Sequence, residues 1–275
     1  VDPRIEAIAA NTTSGAAELL AELLPVLDEC VAQGPDVTLE AARTICLAHP
    51  AMAPLWNACA AAVAEITRPG RFARVRQEMA RAPEALAREA TRALLTALGD
   101  RERPVVLTLS FSSSVARVLR RVATTRPLHV VCGESRPGGE GTRLAGTLRS
   151  SGVVVEMVED ALLTTYLPEA AAVVCGADAI SVRDWTNKAG SFGLSAAAFF
   201  AGVPVFVVAT RDKAQAASLR ARTPLPRIFE RTPSQLVTQF LTEAGPIGPG
   251  DLEQVTERFA ADLEVLLARL PDLFR

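Results

Sequence analysis

Several side chains able to hold an anion, or to move a proton, stand directly after short apolar runs. Asp178 closes the run AAVVCGA. A carboxylate ending a buried strand is costly to hide without a purpose. It can act as a general base or orient a sugar hydroxyl, or simply cap a turn. Lys213 follows VPVFVVATRD, and Asn187 and Lys188 lie in WTNKAGS ahead of a helix that Ser191 can cap. The compact charge of lysine suits phosphate, although either lysine alone also reads as a solvated side chain. Arg136 sits in the glycine-rich segment GESRPGGEG, residues 133–141. Its planar fork can grip an oxyanion, or it can pair with Glu134 or Glu140. Ser110, Ser112, Ser113 and Ser114 follow VVLTL. Their hydroxyls and a helix-start amide group can cradle phosphate, or serve as plain helix caps.

The elements that must position these residues follow from the patterning. Apolar runs of strand length begin near residue 104 and alternate with helical spacing at 142–151, 161–169 and 191–201. Such alternation implies βαβ units and a parallel sheet buried on both faces. In such a sheet, ligands bind at the carboxyl ends of the strands. Arg136, Asp178, Lys188 and Lys213 are then expected at one sheet edge, a combination suited to an anionic, hydroxyl-bearing ligand. The first hundred residues read as helices, with Leu19, Leu20, Leu23, Leu24 and Leu27 on one face. Thr38 is a candidate cap for the helix ending before Pro50. Residues 222–250 read mainly as loop, and Asp251 opens a last helix. The expected fold is α/β: an all-helical N-terminal domain at 1–100, then a Rossmann-like domain at 101–275 ending in a helix.

Composition narrows the function classes. The 275 residues carry a formal net charge of -2, which offers no global basic field, so no direct nucleic-acid partner is expected. The apolar stretch at 194–209 is interrupted by Gly202 and Pro204, which argues against a membrane span. The first fifteen residues lack a basic region followed by an apolar run, so a cytoplasmic protein is expected. The five cysteines show no C-x-x-C spacing and read as buried thiols. His49 and His129 stand apart from the candidate residues, so neither a metal site, a cofactor nor a histidine-based triad is expected.

Four stretches, VVLTLSFSSSVARVL, ESRPGGEGTRLAGTL, VVCGADAISVRDWTNKAGSFGLSAAA and VPVFVVATRDK, together resemble one family. It comprises the alpha, beta and delta subunits of initiation factor 2B together with methylthioribose-1-phosphate isomerase and ribose-1,5-bisphosphate isomerase. The resemblance is strongest over residues 100–215 and implies dimers or larger homo-oligomers. It implies ligand-holding roles for Arg136, Gly141, Asn187, Lys188 and Lys213, and a proton-transfer role for Asp178. Ser110 stands where the isomerases carry their catalytic cysteine. A serine hydroxyl is far less acidic than a thiol. Ser14 replaces the arginine of an Arg-Gly-Ala type turn, Leu109 a frequent histidine and Thr210 a frequent glutamate. Two expectations result. One is an aldose–ketose isomerase acting on a ribose 1-phosphate compound, with Asp178 as base and Ser110 as hydrogen-bond donor. The other is a non-catalytic sensor of a phosphorylated sugar or nucleotide. Survival of the fold purely as an assembly module is a third, less specific possibility.

Overall fold

In a computed structural model that describes residues 2–222 and 224–274, the N-terminal stretch is helical throughout. The helices are α1 (Pro3–Ala10), α2 (Ala16–Gln33), α3 (Pro35–Ala48), α4 (Ala53–Ala64) and α5 (Arg71–Leu98). The leucine stripe read from the sequence is buried on α2. Thr38 does not cap α3 but lies within it. Pro35 occupies the first turn, where its missing N–H is no loss, and Gly34 takes the preceding φ of 124°. The Thr38 hydroxyl instead donates to the carbonyls of Gly34 and Cys30, at 2.9 and 3.1 Å. Every residue of α4 is buried, and its many alanines let neighbouring helices approach closely.

The alternating segments form β1 (Val105–Thr108), α6 (Ser113–Thr125), β2 (His129–Gly133), α7 (Glu140–Arg149), β3 (Val154–Val158) and β4 (Ala170–Gly176). Next come β5 (Ala179–Ile180), β6 (Asp184–Lys188), α8 (Ser191–Phe200), β7 (Val205–Val208), α9 (Ala217–Arg222), β8 (Phe229–Pro233), β9 (Gln239–Thr242) and β10 (Gly245–Ile247). The chain ends with α10 (Glu253–Thr256) and α11 (Ala260–Arg269). Among the described residues the main sheet has seven strands in the order β10-β9-β7-β4-β1-β2-β3, and β10 is its antiparallel edge. The chain winds from β1 through β2 to β3, then returns to place β4 on the other side of β1. The order therefore reverses between β1 and β4, where open α/β sheets leave a crevice for ligands.

Three sequence readings need correction: the loop at 222–250, the helical segment at 161–169, and the last helix opened by Asp251, which instead ends a 3-10 turn over Pro249–Asp251 ahead of α10 and α11. Residues 222–250 are not mainly loop: β8, β9 and β10 lie within them. These strands are three to five residues long and interrupted by Pro and Gly, so their periodicity is too brief to register. The segment at 161–169 is a 3-10 helix over Asp160–Tyr166. The DWTNK segment is β6, paired antiparallel with β5 and β8 in a separate small sheet. The C-terminal helix α11 packs against α4, and Phe274 beyond it stacks on Trp56 at 5.5 Å.

Candidate functional site

The crevice between β1 and β4 is lined by Ser112, Asp178, Asn187 and Lys213, with the start of α2 across from them. Each wall has a local cause. Ser112 caps α6, its Oγ accepting from the Val115 N–H at 3.3 Å. It can lie against β4 only because residue 176 is glycine: a Cβ there would stand 2.6 Å from the Ser112 Cβ and Oγ. Asp178 follows β4, its backbone N–H bonded to the Thr186 carbonyl at 2.8 Å. Asn187 is the penultimate residue of β6, its amide donating to Ser191 Oγ at 2.9 Å, and that hydroxyl donates to the Lys188 carbonyl at 2.7 Å.

Lys213 ends a 3-10 turn over Arg211–Lys213, and it is only 4 % exposed. Asn57 of α4 anchors that turn, its Nδ2 donating to the carbonyls of Asp212 and Ala214, each at 2.7 Å. The Lys213 ammonium donates to the Ala177 carbonyl. Burial pushes the lysine's pKa down, against the pull of the Asp178 and Asp212 charges. Burial likewise raises the Asp178 pKa, opposed by Lys213. Among the described residues, no group donates a hydrogen bond to the Asp178 carboxylate. A buried lysine and a half-buried carboxylate thus line one small space, an arrangement able to bind hydroxyls and an anion.

The space itself is tight, about 20 Å³. Glu18 of α2 lines it. The Glu18 carboxylate accepts from the Gly15 N–H at 3.0 Å and pairs with Arg143 of α7, whose Nη1 lies 3.0 Å away. The Arg143 guanidinium also stacks over Phe111, 3.8 Å from the ring centre. Glu18 therefore holds the place that an anion favours at a helix N-terminus.

Ser113 shares this lining, and the remaining candidate residues lie outside it. Ser110 adopts a left-handed backbone, φ 64°, and its N–H donates to Ser135 Oγ at 2.5 Å. The Arg136 side chain is 72 % exposed and paired with Glu134 at 2.9 Å. Its backbone N–H and that of Ser135 both donate to Asp160, at 2.8 and 2.7 Å. Lys188 is buried against Glu140, with Nζ 2.7 and 2.8 Å from the two carboxylate oxygens. Gly141 has a packing role, since a Cβ there would stand 1.8 Å from the Gly133 carbonyl oxygen. Glu18, Arg143 and Asn57 escaped the sequence reading. The first two carry a faint signal, since Glu18 is near the altered Ser14-Gly15-Ala16 turn and Arg143 lies within ESRPGGEGTRL. Asn57 is legible only as a polar residue in an alanine-rich helix. Cys132 and Cys175 are fully buried, and burial pushes both thiols up to about 12. Among the described residues, no group of three or more His, Cys, Asp or Glu side chains could hold a metal ion, and no helix is long and apolar enough to cross a membrane.

Comparison with known proteins gives a consistent result. Residues 7–224 match the family model described as the Initiation factor 2 subunit family. A translation initiation factor eIF-2B subunit 2-like protein of Pyrococcus horikoshii is 29% identical over 259 residues, covering 85% of this chain and 88% of that protein. Methylthioribose-1-phosphate isomerase of Chloroflexus aurantiacus is 27% identical over 171 residues, covering 52% of this chain and 49% of the isomerase. Among solved structures, the translation initiation factor eIF-2B of Pyrococcus horikoshii OT3 matches with a TM-score of 0.74 at 24% identity, over 90% of this chain and 96% of that one. The tetrameric eIF2B-beta2-delta2 complex of C. thermophilum also matches at 0.74, with 20% identity over 94% of this chain and 93% of that one. The two structures share the fold.

Proposed function

Because the chain belongs to the Initiation factor 2 subunit family, we propose that it binds a small phosphorylated sugar at the β1/β4 crevice without isomerising it. The observation that carries this reading is the buried Lys213 beside an unbonded Asp178 carboxylate, with Asn187, Ser112 and the start of α2 in the same lining. The phosphate displaces the Glu18 carboxylate and takes over the Gly15 N–H and Arg143. Asp178, Asn187 and Lys213 take the sugar hydroxyls. A cavity of about 20 Å³ holds no sugar, so Glu18 must swing out first.

Aldose–ketose isomerisation moves a proton off one carbon and onto its neighbour while another proton passes between the oxygens. Asp178 can serve one of these transfers. The lining offers no thiol for the other: Cys132 and Cys175 are buried, with their thiols pushed up to about 12. The Ser110 side chain lies outside the lining. The relation to the eIF-2B subunit 2-like protein spans 88% of that protein, against 49% of the isomerase, which also favours the non-catalytic reading.

Calorimetric titration with ribose 1-phosphate and methylthioribose 1-phosphate, with product analysis after long incubation, tests it. Saturable binding with no ketose is expected. Lys213→Met should abolish binding, and Glu18→Gln should tighten it by roughly tenfold, about 1.4 kcal/mol. Ketose accumulation would restore the isomerase. Absence of binding in both the parent and Glu18→Gln proteins would end the proposal.

A further inference from the structure

A second cavity, of about 340 Å³, lies between α5, the 211–213 turn, the β9–β10 turn and the 3-10 segment before α11. It is separate from the β1/β4 crevice, and Asp212 lines it while the adjacent Lys213 lines the crevice. Asp212 is 6 % exposed. One of its oxygens accepts from the Thr210 hydroxyl at 2.5 Å. Among the described residues the other has no hydrogen-bond partner, and no ion pair reaches the carboxylate. That second oxygen stays open to the cavity, so a donor entering there can complete it.

The charges around the cavity indicate what does. Arg211 is neutralised by Glu243 at 2.9 Å, and Arg258 by Glu78. The Asp212 carboxylate feels the charges of Lys213 and Arg258 but is ion-paired with neither, and Arg81, an exposed residue of the lining, has no ion pair among the described residues. The lining also includes the apolar side chains of Met79, Ala82, Ala85 and Phe259. Ala82 and Ala85 follow Met79 at helical spacing, and their small side chains leave the room that the cavity occupies.

We propose that this cavity binds a small zwitterion with an apolar side chain, an α-amino acid of leucine, methionine or phenylalanine type. Its ammonium completes Asp212, its carboxylate meets Arg81, and its side chain covers the wall formed by α5 and Phe259. A bare amine or a bare carboxylate leaves one of the two charges unanswered. The proposal does not depend on phosphosugar binding, since no residue lining the crevice lines this cavity.

The test is thermal shift and calorimetry on the full chain with L-leucine, L-methionine and L-phenylalanine, beside isoamylamine and 4-methylpentanoate as half-ligands. At least one amino acid should bind saturably and at least about tenfold more tightly than either half-ligand. Asp212→Asn keeps an oxygen for Thr210 and should weaken binding by about tenfold or more. Ala85→Leu fills the cavity from a helical position that tolerates leucine and should abolish binding while the protein remains folded. No binding of any amino acid at about 10 mM, a half-ligand matching the amino acids, or binding unchanged in both variants would each overturn the proposal.

Discussion

Replacing Asp212 with asparagine removes a charge that the fold buries at a cost, so the variant should be more stable than the parent at neutral pH. Burial raises the carboxyl from its usual 3.8 to about 6, opposed by the Thr210 hydroxyl and by the neighbouring Lys213 charge. Between those two values the native protein keeps a proton that the unfolded chain has already released. The penalty is therefore absent below about pH 4, grows as the pH rises, and is complete above about pH 6 to 7. A shift of about two units corresponds to roughly 3 kcal/mol at full extent, falling below about 1 kcal/mol at pH 4. Asparagine has nearly the same shape, and its amide oxygen can keep the Thr210 bond, so packing changes little. The assay is urea unfolding of parent and variant at pH 4, 6 and 8, with the stability difference plotted against pH. The advantage of the variant should widen by about 2 kcal/mol between pH 4 and pH 8. A difference that stays flat with pH, or a variant less stable than the parent at pH 8, would show that Asp212 is not a buried, incompletely paired anion.

Two further substitutions probe how the elements are held in place. Asp262 of α11 is 1 % exposed and is gripped by Arg71, whose Nε lies 2.9 and 3.0 Å from its oxygens, and by Arg68 at 2.9 Å. Asp262→Ala leaves the largely buried Arg71 without its counter-charge and should cost roughly 3 kcal/mol, read as a lower urea midpoint. Gly141→Ala places a methyl group against the Gly133 backbone carbonyl, 1.8 Å away, so β2 or α7 must move. Its melting temperature should fall by roughly 5 to 10 °C, whereas Gly146→Ala on the same helix, which meets nothing within 4 Å, should be neutral or slightly stabilising.

The alternation of β-branched runs with helical segments was enough to reveal the parallel sheet, because strands buried on both faces must be continuously apolar. The same rule pointed to the strand ends as the place for a candidate crevice, and Asp178 and Lys213 line the small space found there. The residues 133–141 were harder to read. A glycine-rich loop with an arginine has the composition of an anion cradle, but here the Ser135 and Arg136 amides are taken by Asp160, the Arg136 side chain by Glu134, and Glu140 holds Lys188. Which acid reaches which base is a matter of distance in space, and one-dimensional order carries no record of it.

What the sequence determined alone was the layer plan and the register of polar residues at strand ends, since both follow from local periodicity. What only the tertiary structure decided was the pairing of charges. Glu18, remote in the chain, sits beside the crevice, Asn57 of a buried helix secures the Lys213 turn, and Asp212 looks into a different cavity from its neighbour. The physical reason is that hydrophobic periodicity is short-ranged along the chain, whereas electrostatic and hydrogen-bond partners are chosen by whatever the packed elements bring within about 3 Å.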